Sequence, residues 1–304
     1  MAKPIWIAGL SRRMPVARAS SKVLQAVLLD LLEKIPDAHG ADSHKGIHDL
    51  RVAVKRFREA FRLFRPVLQK KVFRKHREWI ENLNDALGEV RDRDVALIHL
   101  RKLTAGHTEL PRSVTELVSR LEAERLKAAE ALATMVDRLQ LEGFPTQLGA
   151  SIGLIEQDAA SVQPTYVFAC QRVHERLLDV RARWTAARRQ ATSESMHSLR
   201  IGNKRLRYAI EPFSRTLGKE VRRLYRSASR FHDVLGDLHD ADSMVILLET
   251  SMATASKIER RVWEGLLVKV IRARRVALRK AFLLSDKLGP LWDEAQRSVE
   301  APPQ

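Results

Sequence analysis

The chain has 304 residues, 45% of them hydrophobic, which is ample for a sizeable core and too apolar for a disordered polyelectrolyte. Its 54 Lys and Arg against 37 Asp and Glu give a net charge of +17, which selects anionic partners: nucleic acid, an acidic membrane surface or another polyanion. A single cysteine, Cys170, excludes an intramolecular disulfide and a Cys-rich metal site and fits a reducing cytoplasm, and no apolar run approaches the ~20 residues of a membrane span.

Ser11-Arg12-Arg13 opens like a twin-arginine export signal, but residues 14–18 supply no apolar region, so an ordinary leader is expected. An amphipathic run over about 16–35 ends before Pro36. A loop with Asp37, Gly40, Asp42 and Ser43 leads into a basic helix, about 45–65, stopped near Pro66. A third run, about 69–87, ends at Gly88 as a C-cap; Asp92 caps a short helix, and Pro111 at the first helical position opens a long one to about Gln140. Gly143, Pro145, Gly149, Gly153 and Pro164 punctuate the next stretch, which divides 1–145 from 146–304.

The second half repeats the order. Helices are expected near 166–190 and 195–215, then at 218–235 ending at Gly236. A short helix capped by Asp240 and a long run over 256–284 complete it. No segment shows sustained β-branched alternation, so strands are not needed. The expectation is an all-α protein of two pseudo-symmetric four-helix bundles from an internal duplication, together one domain.

Two motifs carry the repeat. Residues 48–58 fit H-x-L-R-x-x-x-K-R-x-R, and the same template returns 149 residues later at 197–207. On a helix, at about 100° per residue, Arg51, Lys55, Arg58 and Arg62 fall beside His48. Leu50, Val54, Phe57, Phe61 and Phe64 lie opposite. In the second copy Arg200, Lys204 and Arg207 flank His197, with Leu199, Leu206, Ile210 and Phe213 opposite, while Arg56 and Arg205 lie on the flank. The second motif is Leu87-Gly88-x-x-Arg91-Asp92-x-Asp94, matched by Leu235-Gly236-x-x-His239-Asp240-x-Asp242.

Both motifs, each present twice and in register, resemble those of the CHAD domains over roughly residues 16–290. The resemblance implies paired helical bundles and a basic surface or channel that binds inorganic polyphosphate. Carried over residue by residue, the binding positions are His48, Arg51, Lys55, Arg56 and Arg58, with His197, Arg200, Lys204, Arg205 and Arg207. Some relatives are fused to a triphosphate-tunnel domain, which these 304 residues lack, so a borrowed hydrolytic activity is not expected.

The residues point the same way by themselves. Between Arg51 and Arg77 there are eleven Lys or Arg and one acid, Glu59; between Arg200 and Arg226 there are nine against Glu211 and Glu220. Arg62 extends the first stripe; Lys71, Arg74 and Lys75, and in the second half Lys219, Arg222 and Arg223, add to the candidate ligand set. Neighbouring like charges destabilise a helix by a few tenths of a kcal/mol per pair, so such crowding suggests an anion that normally neutralises it. Arginine suits phosphate through its fork, lysine as a point charge. The histidines, near helix starts, could donate to phosphate oxygens or instead make an ordinary helix–helix hydrogen bond.

Of the carboxylates, Asp92 and Asp240 are expected to cap helices, and Asp94 and Asp242 to pair with arginines. His232-Asp233 and His239-Asp240 resemble the tandem pairs of metal-dependent phosphohydrolases, but Asn84-Asp85 and Arg91-Asp92 occupy those positions in the first half. His44 and His48 have metal spacing without the general-base Glu of H-E-x-x-H. No nucleophile elbow, P-loop or dinucleotide fingerprint occurs, so no catalytic residue, metal or cofactor is expected. Nucleic acid stays in contention, since non-specific duplex binding needs only positive charge. Against it, only Tyr208 brings an aromatic near either stripe, and single-strand binders need stacking platforms. Oligomeric state is left open.

Overall fold

A computed structural model of the chain describes residues 5, 7–38, 44–106, 110–155 and 162–300, without the side chains of 71–73 and 75. Among the described residues it is all-helical, with α1 (Val16–Ala38), α2 (His44–Leu63), α3 (Lys70–Thr104), α4 (Arg112–Leu141) and α5 (Phe144–Ile155) in the first half. The second half holds α6 (Thr165–Arg189), α7 (Ser193–Ile210), α8 (Lys219–Ala253) and α9 (Lys257–Glu300). A short 3₁₀ turn follows α2 at Arg65–Val67 and another follows α7 at Glu211–Phe213.

Three sequence expectations are corrected. Gly88 and Asp92 end or cap nothing, because α3 runs unbroken for 35 residues, and α8 likewise passes through Gly236 and Asp240 for 35. An interior glycine costs about 1 kcal/mol relative to alanine, which the packing of Leu87, Val90, Leu235 and Leu238 offsets. The glycine-rich stretch after 143 is a helix, α5, whose Phe144, Leu148, Ile152 and Ile155 form one buried face. The last helix does not stop near 284 but continues through Pro290, with Leu288, Trp292, Ala295 and Val299 buried around it.

The core crosses the midpoint of the chain. Phe64 at the end of α2 stacks on Phe168 of α6 at 5.6 Å and meets Phe213 edge-on at 5.9 Å, all three buried. Each such ring contributes about 1.5–3 kcal/mol by leaving water. Backbone bonds from Val16 to Gln163 and from Thr165 to Met14 tie the start of α1 to the start of α6. A smaller apolar cluster, Leu100, Leu117, Met244 and Trp263 among its members, joins α3, α4, α8 and α9 at their far ends. The consequence for the site is that α2 and α7 are held against each other at the centre.

A candidate anion-binding cleft

The oily stripes of α2 and α7 are buried as their periodicity requires, which fixes the rotation of both helices. Their cationic stripes then meet across the α2–α7 contact. Lys55 is pushed down to about 6, by burial first and then by Arg51, Lys204, Arg200 and Arg58. Lys204 is pushed down to about 8, where burial outweighs the attraction of Glu59 and is joined by Arg58, Arg200 and Arg62. Two stripes separated by 149 residues therefore form one cluster. Glu59 is buried within it, within 4 Å of Arg58, Arg62 and Lys204.

From α8, His232 faces the same cluster. Burial, then Arg207, Arg200, Lys204 and Lys55, hold its imidazole well below its ordinary value. Its Nδ1 is buried and lacks a hydrogen-bond partner among the described residues. Arg207 is steadied beside it by donating from Nε to Ser229 at 3.0 Å and by lying 6.0 Å from the Tyr225 ring centre.

His48 and His197 stand at the other end of the cleft. Burial lowers the pKa of His48, and the charge of Arg91 acts next in the same direction. His197, lowered chiefly by burial, packs against His239 with ring centres 4.9 Å apart. Both are the fifth residue of their helix, one turn past the free N–H groups, and Thr192 already accepts from Ser195 N at the start of α7. The helix-terminus contribution expected for these histidines is therefore absent.

Asp92 and Asp240, interior to α3 and α8, act on the cleft arginines instead of capping. Asp92 lies 3.4 Å from Arg51, and both carboxylates raise the pKa of Arg51 and Arg200 against the larger lowering by burial. Gly88 lies beside this pair, where a Cβ would make an ordinary 4.0 Å contact with the Arg51 guanidinium. Asp94 and Asp242 pair with arginines as expected, Asp94 with Arg125 at 2.6 Å and Asp242 with Arg274. His44 donates to Asp94 at 2.6 Å, so it anchors α2 to α3 and α4 and does not act with His48.

Not every candidate reaches the cleft. Arg56 is buried with Asp30 at 3.1 Å and Glu211 at 2.9 Å, which makes it a core ion pair between α1, α2 and the second 3₁₀ turn. Its counterpart Arg205 lines an outer groove together with Arg62 and Arg74. The side chains of Lys71 and Lys75 lie outside the described residues. Lys219 and Arg222 are exposed on the first turn of α8, and Arg223 is turned toward α9, where it pairs with Glu294 at 3.2 Å. Of the rival hydrolase pairs, His232 and His239 face the cleft while Asp233 is exposed. Among the described residues no three His, Cys, Asp or Glu side chains approach one another as metal ligands would. Tyr208 is half-buried, with the Arg207 guanidinium 5.6 Å from its ring centre.

Several cleft residues were not anticipated as ligands. Arg91 and His239 occupy the same place in the doubled Leu-Gly motif, a signal present in the sequence. Arg172 and Arg176 of α6 line the outer groove without any motif to mark them.

The family model of the CHAD domain matches residues 22–249. No curated protein matches the chain. The crystal structure of the CHAD domain from the plant Ricinus communis is similar, with TM-score 0.61 and 22% identity, covering 100% of this chain and 98% of that one. PptA from Streptomyces chartreusis is also similar, with TM-score 0.65 and 12% identity over 90% of this chain and 100% of that one. At such identities the two structures speak for the fold alone.

Proposed function

The chain belongs to the CHAD domain family, and on that premise we propose that it binds inorganic polyphosphate in the α2–α7 cleft without turning it over. The observation that carries the reading is the convergence of Lys55 and Lys204, cations of two different helices, beside Arg51, Arg58 and Arg200. Crowding like charges in a partly buried place costs free energy that an occupying polyanion repays. Arg51, Arg58 and Arg200 offer forks of the kind that suit phosphate oxygens, and His232 adds a donor when protonated. The family is one associated with polyphosphate, which supports the same ligand.

A linear polyanion without bases suits this cleft better than nucleic acid does. It needs no stacking platform, and it is narrower than a duplex. Among the described residues no helix is long and apolar enough to cross a membrane. The role that fits is a targeting or scaffold module in the cytoplasm, where buried Cys170 stays reduced.

The test is competition between polyphosphate and duplex DNA of equal charge across a salt series, with orthophosphate release followed in parallel. Polyphosphate is expected to bind more tightly at every salt concentration, with log K falling steeply against log salt for both ligands. No orthophosphate is expected, with or without Mg²⁺ or Mn²⁺. Equal affinities would leave a generic cation. Turnover lost in His232→Ala would establish a hydrolase instead.

A further inference from the structure

The cationic surface does not end at Glu59. There a groove of about 1270 Å³ opens between the α2–α3 corner and α6. Arg62, Arg65, Arg74 and Arg77 wall it on one side, Arg172 and Arg176 on the other, and Glu59 is the one carboxylate among its described lining residues. Glu59 and Arg62 belong to both the cleft and the groove, so the two are continuous.

Arg172 and Arg176 are one turn apart on α6 and share a face. The Arg172 guanidinium is placed by Glu175 and by the Phe168 ring, 5.6 Å away, and its Nε is buried without a hydrogen-bond partner among the described residues. Arg176 is half-buried and, among the described residues, has no carboxylate within ion-pair distance. Both arginines thus face a groove walled by four more, of which Arg62 and Arg77 share Glu81 at 3.1 and 3.0 Å. Along α2, His48 to Arg62 spans about 21 Å at 1.5 Å per residue. Lys55 to Arg62 is about 10 Å of that span, so a short oligophosphate seated between His48 and Lys55 stays clear of α6, whereas a long chain runs past Arg62 into the groove.

We propose that Arg172 and Arg176 form an outer subsite that only a long polyphosphate reaches while it remains seated in the α2–α7 cleft, so that the groove sets a preference for chain length. The inference rests on the polyphosphate reading of the cleft. The gain comes from the tether: once the inner phosphates are held, the outer ones meet α6 at high effective concentration.

Titration calorimetry with tripolyphosphate and with a long, size-fractionated polyphosphate tests it. Glutamine substitutions keep the apolar stems and remove the charges, so Arg172→Gln with Arg176→Gln is compared with Lys55→Ala with Arg200→Ala, each checked by thermal melting. The α6 variant is expected to lose about tenfold in affinity for the long chain, within the worth of one or two charge-assisted bonds, and to bind tripolyphosphate as the parent does. The cleft variant is expected to lose affinity for both. An α6 variant that binds the long chain unchanged, or that weakens equally toward tripolyphosphate, overturns the outer subsite and leaves the cleft standing. A parent protein that binds neither ligand sinks the cleft reading and the subsite with it.

Discussion

The ammonium of Lys204 on α7 lies 3.8 Å from the Oε1 of Glu59 on α2, and that oxygen is also shared by Arg58 and Arg62. One buried carboxylate thus stands in for the anion in the free protein, holding cations of both halves together. Replacing it tests that role. In Glu59→Gln the three cations keep their burial and lose their counter-charge, so the free protein is expected to lose about 1–3 kcal/mol. Polyphosphate affinity is expected to rise severalfold, because the ligand no longer competes with an internal carboxylate. Melting curves and calorimetry read the two effects separately; a folded Glu59→Gln that binds more weakly would show Glu59 to be organising the cleft.

The depressed lysines make stability and binding depend on pH in opposite senses. Lys55 holds its proton only below about 6 in the folded protein, against 10.5 as the ordinary value. Between those limits the unfolded chain binds more protons, so the stability of the free protein rises with pH across that window. The lowered histidines of the cleft, His232 above all, act in the same direction below 6.5. A polyanion reverses the field and returns the protons, so binding is expected to take up protons and to strengthen as pH falls from about 8, where Lys204 titrates, toward 6. Calorimetry in buffers of different ionisation heat measures the uptake. Lys55→Met should melt higher than the parent and take up fewer protons; an unchanged uptake would place the linkage elsewhere.

The pair of Asp94 with Arg125 is structural by its burial. Asp94 is fully buried in α3, accepts from Arg125 of α4 and His44 of α2, and sits outside the cationic cluster. Asp94→Asn leaves the buried guanidinium without its counter-charge and is expected to cost about 3–5 kcal/mol. Where the variant is folded, polyphosphate affinity should stay within about twofold of the parent. A tenfold loss at full folding would mean that these anchors set the cleft geometry.

What could be read in advance, and what could not, follows the range of the forces involved. The oily and cationic stripes of α2 and α7 are local periodicities, and burial of Leu50, Phe57, Leu199 and Leu206 fixes where the opposite face must point. Arg56 reads as a flank cation in the sequence because its partner, Glu211, is 155 residues away and only tertiary packing brings them together. Gly88 and Gly236 signal helix ends locally, and the burial of neighbours on long helices overrides both; the run expected to stop near 284 likewise continues through Pro290. Arg172 and Arg176 flank Glu175 in a mixed-charge helix, so nothing local distinguishes them; only the placement of α6 beside the α2–α3 corner does.

The meeting of the two stripes leads to a last prediction, about stoichiometry. Arg51 and Lys55 come from one helix, Arg200 and Lys204 from the other, and each pair lies in the field of the opposite one. If they hold one segment of polyphosphate between them, removing charge from either helix must weaken the same binding event. Lys55→Ala with Arg51→Ala, and separately Lys204→Ala with Arg200→Ala, each remove two charge-assisted contacts worth on the order of 1.5–3 kcal/mol apiece at most, less where water reaches them. Each double variant should therefore lose at least about tenfold in affinity and show a shallower salt slope, at unchanged stoichiometry. All four side chains lie off the oily stripes, so the Lys55 and Arg51 variant should melt no lower than the parent, and loss of the Lys204–Glu59 pair should cost the other variant little because Arg58 and Arg62 still hold that carboxylate. Independent sites would behave otherwise: each variant would bind half as much ligand, the remainder at full affinity. Calorimetry with a short, homogeneous polyphosphate separates the cases, and half stoichiometry at unchanged affinity would refute the shared cleft.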